Sequence, residues 1–293
     1  MRTRIISGAV LLAGVAVLAA VRGLLLDAAV LAAVIIAARE FYAMAAAGGH
    51  RPWRAGGVAL AVALVLPALV VAAHPWIEAL PGVNPGQLWL IGSGAQPGLL
   101  AGTTLVLVGA GLLGTLVWRG TRGPAAGSGA LAPWTDVGLT VGGALYTGGI
   151  LQYGLLLDQP PGELWWLLLV ILGTAAADSG AYFAGRAFGG RKLIPHISPN
   201  KTWAGFWGGL ASCVLAVALF AWPMHIPAWH VPLLGAAIGL SSVVGDLCES
   251  LLKRSFGVKD SGTLIPGHGG LLDRLDSILF VLLVVYAYMR VVT

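Results

Sequence analysis

Charged side chains are scarce in this sequence: 17 Lys and Arg and 12 Asp and Glu, 10% of 293 residues, where soluble domains carry roughly a quarter. So little charge excludes an ordinary water-exposed globule. Cysteine is scarcer still. Cys213 and Cys248 are isolated, without the spacing of a metal or redox pair, and read as small buried side chains. An extended basic face and any interleaving of basic with aromatic residues are also missing, so the net charge of +5 does not indicate a nucleic-acid partner. It suits anchoring against anionic lipid headgroups.

What the chain has in place of charge is apolar sequence, 58% of its residues. Segments of about 17 to 24 residues, long enough as helices to approach or cross a ~30 Å hydrocarbon core, recur along it. Nine can be drawn, at about 5–21, 24–45, 57–74, 98–118, 137–157, 164–185, 203–222, 231–252 and 272–292. They predict an all-α, polytopic transmembrane protein. The first resembles a signal peptide in outline, but with so many segments following it reads as a membrane helix. Only Arg22 and Gly23 separate it from the second, which demands a very tight hairpin.

Basic residues cluster in alternate connections: Arg51 and Arg54, then Arg119 and Arg122, then Arg186, Arg191, Lys192 and Lys201. The other connections carry Glu78, Asp158 and Glu163. The positive-inside rule then predicts a plasma or inner membrane protein with its amino terminus inside and its carboxyl terminus outside. Arg290 opposes this only mildly, since one interfacial arginine can snorkel. The Pro- and Gly-rich stretch at about 74–97 is expected on the outer face. Its Trp76 and Trp89, with Trp118, Trp134, Trp165 and Trp166, fit an interfacial aromatic belt. A flexible connection over 119–136 divides amino-terminal helices (1–118) from a carboxyl-terminal catalytic region (137–293). Gly111–Gly114 and Gly205–Gly209 read as close helix contacts rather than nucleotide loops.

Against this apolar background Gly245–Ser277 is anomalous, holding five carboxylates and four cationic side chains in 33 residues. Clustered carboxylates repel one another unless cations neutralise them, so the stretch suits a site for metal ions and phosphates. Asp246, Glu249 and Lys253 are spaced by three and four and share a helix face. Lys259 and Asp260 precede a turn-rich loop, Ser261 to Gly270, that permits close backbone approach to phosphate oxygens and contains His268 and Gly269. Asp273 and Asp276 then enter the last helix beside Arg274. All four helix carboxylates are hard oxygen donors, which suits Mg²⁺ and not zinc.

Three positions outside this stretch draw attention. Asp178 lies in an otherwise apolar helix, on one face with Tyr182 and with Arg186 a turn beyond, and needs a partner, a metal or water. Ser198, Lys201 and Thr202 precede the seventh segment, where one hydroxyl can cap the helix and the lysine beside exposed amides makes an anion pocket. Glu40, at the end of the second segment, either pairs with an arginine such as Arg39 or supports a polar cavity.

These residues together resemble the phosphatidate cytidylyltransferase (CDP-diacylglycerol synthase) family. The likeness runs through Ser250, Lys253, Arg254, Lys259, Asp260, Gly262, Ile265, Pro266, Gly267, His268, Gly269, Gly270, Asp273, Arg274 and Asp276, and extends to GDLCES, SPNKTWAG and the Asp178–Arg186 region. Family members usually carry Glu where this chain has Ala204, so that position is given no catalytic role. The resemblance implies a cytoplasm-facing, Mg²⁺-dependent homodimer, with room for a second cation such as K⁺, that converts CTP and phosphatidate to CDP-diacylglycerol and pyrophosphate in phospholipid synthesis. The candidate catalytic residues are Asp178, Asp246, Glu249, Lys253, Asp260 and Asp273. Ser198, Lys201, Thr202, Lys253, Arg254, Lys259, His268, Gly269 and Arg274 are candidates for substrate phosphates, and Asp246, Glu249, Asp273 and Asp276 for metal. A polyprenol or isoprenoid-alcohol kinase or cytidylyltransferase is the second reading, and an ion-coupled secondary transporter using Asp178 and Asp246 the third.

Overall fold

The computed structural model describes residues 23–78, 96–121, 132–158, 163–267 and 269–292. The first predicted segment, most of the 74–97 stretch and most of the 119–136 connection lie outside them. The chain is organised as α1 (Leu24–Ala47), α2 (Arg54–Glu78), α3 (Gln96–Gly120), α4 (Ala132–Ala144), a π-helical turn (Leu145–Gly149), α5 (Ile150–Leu157), α6 (Glu163–Phe188), β1 (Lys192–Ile194), β2 (Ser198–Thr202), α7 (Trp203–Ala221), α8 (His230–Ser255) and α9 (Leu272–Val292). It is a polytopic, helical membrane protein.

The expectation of a polytopic helical protein is met, with the first of the nine predicted segments outside the described residues. Among the described residues six helices are long and apolar enough to cross a membrane: α2, α3, α6, α7, α8 and α9. The predicted 137–157 segment is interrupted by the π turn, which leaves α4 and α5 each too short to count. The connection after α6 is also more ordered than an irregular linker. β1 and β2 pair antiparallel, Lys192 opposite Thr202 and Ile194 opposite Ser198, and Trp203 donates its N–H to Arg191 O at 3.0 Å.

The chain divides into two compact units. One comprises the described residues up to Leu156 together with Phe256–Leu272; the other is Leu157–Ser255 with the described residues from Asp273 onward. In the first, α1, α2 and α4 meet around a polar cluster. Tyr42 Oη donates to Thr140 O at 2.6 Å, Thr140 Oγ1 accepts from Trp53 N at 2.9 Å, and Asp136 accepts from Arg51 N at 2.7 Å while pairing with Arg119 at 3.3 Å. Asp136 is buried, and its two partners offset the desolvation of its charge. On α3, by contrast, Leu105, Val106, Leu113 and Val117 are largely exposed, the pattern of a helix that faces lipid.

The second unit is built on close helix contact. α6 and α7 approach through small residues: a Cβ on Gly205 would lie 2.8 Å from Ala181 O, one on Gly208 2.8 Å from Gly180 O, and one on Gly209 3.0 Å from Ala177 O. Without a hydrophobic driving force between helices in lipid, such contacts gain from dispersion and backbone proximity. Gly205–Gly209 is thus a helix contact, as its composition indicated. α6 ends where Gly189 and Gly190 take φ of 56° and 90°, a left-handed conformation that only glycine adopts without strain. α7 begins at Thr202, whose side chain accepts from Gly205 N at 3.1 Å, the expected cap. The glycines therefore fix where α6 stops, and the cap fixes where α7 starts, with the hairpin between them.

Gly208→Leu is expected to destabilise the protein by about 1–3 kcal/mol, because the α6 backbone cannot yield to the added side chain. Gly138→Ala, at a helical position open to space, is expected to be neutral or stabilising by up to about 1 kcal/mol. Thermal unfolding in detergent measures both; equal unfolding temperatures for the two variants would contradict the α6–α7 contact.

Candidate active site

The second unit contains a cavity of about 620 Å³ between α6, the hairpin, α7 and α8. Its walls are largely small or apolar, among them Ala177, Ala181, Gly205, Phe206 and Val243, and Asp178, Lys201 and Asp246 open onto it together. Lys201, carried by β2, places its Nζ 2.8 Å from Asp246 Oδ2 of α8. Asp246 also accepts from Ser250 Oγ at 3.2 Å, one helical turn on. Asp178 experiences the charges of Asp246, Lys201 and Arg274. Tyr182 and Arg186 line the same cavity, and Arg186 Nη1 donates to Tyr182 Oη at 3.0 Å, so the Asp178–Tyr182–Arg186 face forms as its spacing predicts.

The remaining carboxylates gather around a second ammonium group. Lys253 Nζ lies 2.9 Å from Glu249 Oε2 and 2.6 Å from Asp273 Oδ1. The first contact is the expected i, i+4 pair. The second joins α8 to the start of α9 across 20 residues of sequence. Glu249 is 0% exposed, and its Oε1 has no hydrogen-bond partner. Asp276 Oδ1 accepts from Ser277 N at 2.6 Å, and its carboxylate interacts electrostatically with those of Asp246 and Asp178 and with Glu249. α8 and α9 meet closely here, since a Cβ on Gly245 would lie 3.0 Å from Ser277 Cα.

Among the described residues no group of three or more His, Cys, Asp or Glu is disposed to hold one ion. The ammonium groups of Lys201 and Lys253 instead stand against the carboxylates of Asp246, Glu249 and Asp273. The donor chemistry nonetheless fits a hard divalent cation. A fully buried carboxylate oxygen without a partner faces the influence of Asp276 and Asp273, and an orphaned acceptor of that kind is costly unless a cation or donor reaches it.

Other predicted residues are placed as follows. Ser198 begins β2 and is half-buried, and Thr202 is buried at the α7 cap. Arg254 and Arg274 are exposed at the end of α8 and the start of α9. Lys259 and Asp260 are exposed in the loop of the first unit. Gly269 in that loop accepts from Ile265 N at 2.9 Å through its carbonyl. His268 lies outside the described residues.

Glu40 has a role the sequence could not specify. Its hydrogen bonds run to the loop rather than to Arg39: Oε1 accepts from Leu271 N at 2.9 Å, and Oε2 accepts from Leu272 N at 2.8 Å and from Ser261 Oγ at 3.1 Å. The buried Asp136 was missed altogether. Its only sequence signal is a lone carboxylate at the start of an apolar segment, with Arg119 at the end of the preceding one.

Replacing Lys253 by Met leaves Glu249 and Asp273 buried without their shared cation, and is expected to destabilise by about 3–5 kcal/mol, whereas Lys253→Arg should lose much less. Chemical denaturation in mild detergent tests this, and a Met variant as stable as the Arg variant would show that the lysine does not compensate the two carboxylates.

A model described as the cytidylyltransferase family matches residues 2–292 of the chain. A protein of Brucella suis biovar 1 named phosphatidate cytidylyltransferase is 36% identical over 208 residues, covering 69% of this chain and 72% of that protein. A Mycobacterium bovis protein of the same name is 34% identical over 239 residues, covering 74% and 76%. One from Bacillus subtilis is 45% identical over 137 residues, covering 46% and 48%. With the family match extending over nearly the whole length and the charged cluster assembled at the helix ends, the chain belongs to the phosphatidate cytidylyltransferase family.

Proposed function

We propose that the protein is a CTP:phosphatidate cytidylyltransferase that makes CDP-diacylglycerol and pyrophosphate in phospholipid synthesis. The observation that carries this reading is the apolar-walled cavity onto which Asp178, Lys201 and Asp246 open together, with Arg186 on its wall. Apolar walls suit a lipid, an ammonium group suits its phosphate, and the carboxylates beside them suit metal-assisted phosphate chemistry. Family membership supports cytidylyl transfer over the kinase and transporter readings.

In this reaction a phosphatidate oxygen attacks the α-phosphorus of CTP in line. The bond from that phosphorus to the bridging oxygen breaks, and pyrophosphate leaves with the electron pair. A phosphate monoester is largely ionised near neutrality, with a second pKa of about 6, so no strong general base is required. Lys201 would hold the lipid phosphate, and displacement of Asp246 from its ammonium group by that phosphate would free the carboxylate. Lys253, Arg254, Lys259 and Arg274 would orient the triphosphate, a task of positioning and charge compensation. Asp246, Glu249, Asp273 and Asp276 would hold Mg²⁺, with K⁺ a candidate second cation, and the bound metal would neutralise phosphate oxygens and developing charge.

The basic connections support a cytoplasmic site, with the amino terminus inside and the carboxyl terminus outside. Phosphatidate would then enter laterally from the inner leaflet, and CTP from the cytoplasm. Residues from 137 onward would carry the reacting side chains and 1–118 supporting helices, with 119–136 as linker. A homodimer belongs to the same reading.

Purified protein supplied with phosphatidate and each of the four nucleoside triphosphates is expected to turn over CTP, only with Mg²⁺, and to place labelled CMP on the lipid. Asp246→Asn and Asp273→Asn are each expected to lower kcat/KM by roughly two orders of magnitude or more. Transfer of the γ-phosphate alone, or unchanged turnover in both variants, would refute the assignment.

A further inference from the structure

The loop Phe256–Leu272 is tied to α1 at both ends. At its start Phe256 is buried, its ring 6.1 Å from that of Phe41 and 5.7 Å from that of His50, both edge-on. At its end Glu40 accepts the Leu271 and Leu272 amides, and in between it accepts the Ser261 hydroxyl. Leu272 opens α9 and Leu271 directly precedes it, a helix start whose amides lack intrahelical acceptors and ordinarily take a cap from the residues just before it. Here those residues are Gly269, Gly270 and Leu271, none of which has a polar side chain to offer. The cap is supplied by a carboxylate more than 230 residues away in sequence.

The glycines make room for that carboxylate. A Cβ on Gly262 would lie 2.7 Å from Glu40 Oε1, and one on Gly270 would lie 2.6 Å from Glu40 Cδ. Ser261 and Leu272 are buried around the same group, while Lys259, Asp260 and Thr263 are exposed. Glu40 thus holds the inner side of the loop and leaves its charged side to solvent. All three bonds are made by acceptor oxygens alone. A carboxylate can make them, but an amide cannot, since its NH₂ would confront a backbone N–H.

We propose that Glu40 is a positioning residue for nucleotide binding: its carboxylate fixes the Phe256–Leu272 loop in the shape that presents Lys259 and the Gly269 backbone to the triphosphate. This rests on the cytidylyltransferase reading above. Among its described residues the loop between α8 and α9 forms no helix or strand beyond the isolated bridge Ile265 to Gly269, so the contacts from α1 give it an anchor outside itself. A lysine and a glycine-rich backbone bind phosphate well only when their geometry is set before the ligand arrives.

The test uses the full-length protein in detergent, with Glu40→Gln and Ser261→Ala compared by hydrogen–deuterium exchange and by CTP kinetics. Glu40→Gln is expected to speed exchange of the Leu271 and Leu272 amides and the peptide containing them, with α2 and α7 unchanged. It should also raise the KM for CTP roughly tenfold, as expected for losing charge-assisted hydrogen bonds, with a smaller change in kcat and little in the KM for phosphatidate. Ser261→Ala, which spares the amide contacts and the fold, should do the same more weakly. Unchanged loop exchange would overturn the clamp, and a loosened loop with an unchanged KM for CTP would overturn its role in binding. Absence of CTP turnover in the unaltered protein would instead refute the enzymatic reading, and the exchange measurement would still decide whether Glu40 holds the loop.

Discussion

A carboxylate with no exposure to solvent must be compensated from within the fold, and Glu249 sets that demand on α8. Removing an ion from water costs several kcal/mol even after relaxation, and the cost is met only when the opposite charge is close and well oriented. Lys253 meets it from one turn away, at 2.9 Å, and by reaching Asp273 at 2.6 Å it draws the start of α9 to the same point. Lys201 does the corresponding work for Asp246 from the hairpin. The placement of α8, α9 and β2 in this unit therefore follows from two ammonium groups.

The charges do not balance within this cluster. Asp178, Asp246, Glu249, Asp273 and Asp276 outnumber Lys201, Lys253, the nearby Arg274 and Arg186 on the cavity wall. Such an arrangement attracts cations before it accepts anions. In the proposed reaction both substrates are anionic, so a divalent ion would serve first to reverse the sign of the site and only then to act on phosphorus. The lysines can release their carboxylates as that happens, because a phosphate oxygen is as good a partner for an ammonium group as a carboxylate oxygen.

How much of this was legible depended on sequence distance. The Glu249–Lys253 pair, the Asp178–Tyr182–Arg186 face and the Thr202 cap are set by helical spacing of three or four residues, and each is found. Segment positions were readable from hydropathy for the same local reason. Lys201 with Asp246 and Lys253 with Asp273 were not readable, because nothing local distinguishes one carboxylate from another as the partner of a distant lysine. The four-carboxylate cluster follows from residue type, whereas composition does not reveal that Asp246, Glu249 and Asp273 each pair with a lysine while Asp276 accepts from Ser277 N. The hairpin was hidden because its strands are three and five residues long, too short for an alternating pattern to stand out. The π turn breaks a segment without changing its hydropathy.

Glu40 shows most plainly where local reading stops and what the fold adds. A charged residue at the end of an apolar helix has several inexpensive explanations, and pairing with the adjacent arginine is the simplest. The chain instead passes from one compact unit to the other between Ser255 and Phe256 and returns between Leu272 and Asp273, beside charged residues at both crossings. A glycine-rich loop bounded in that way has high conformational entropy to lose on ordering. Unanchored, it would have to be ordered by the ligand, and the cost would appear as weaker binding. Anchoring it on α1 transfers that ordering to folding, where one carboxylate and one phenylalanine ring fix both ends at once. The amino-terminal helices, which carry little of the family's sequence signature, thereby set the shape of the loop that carries most of it.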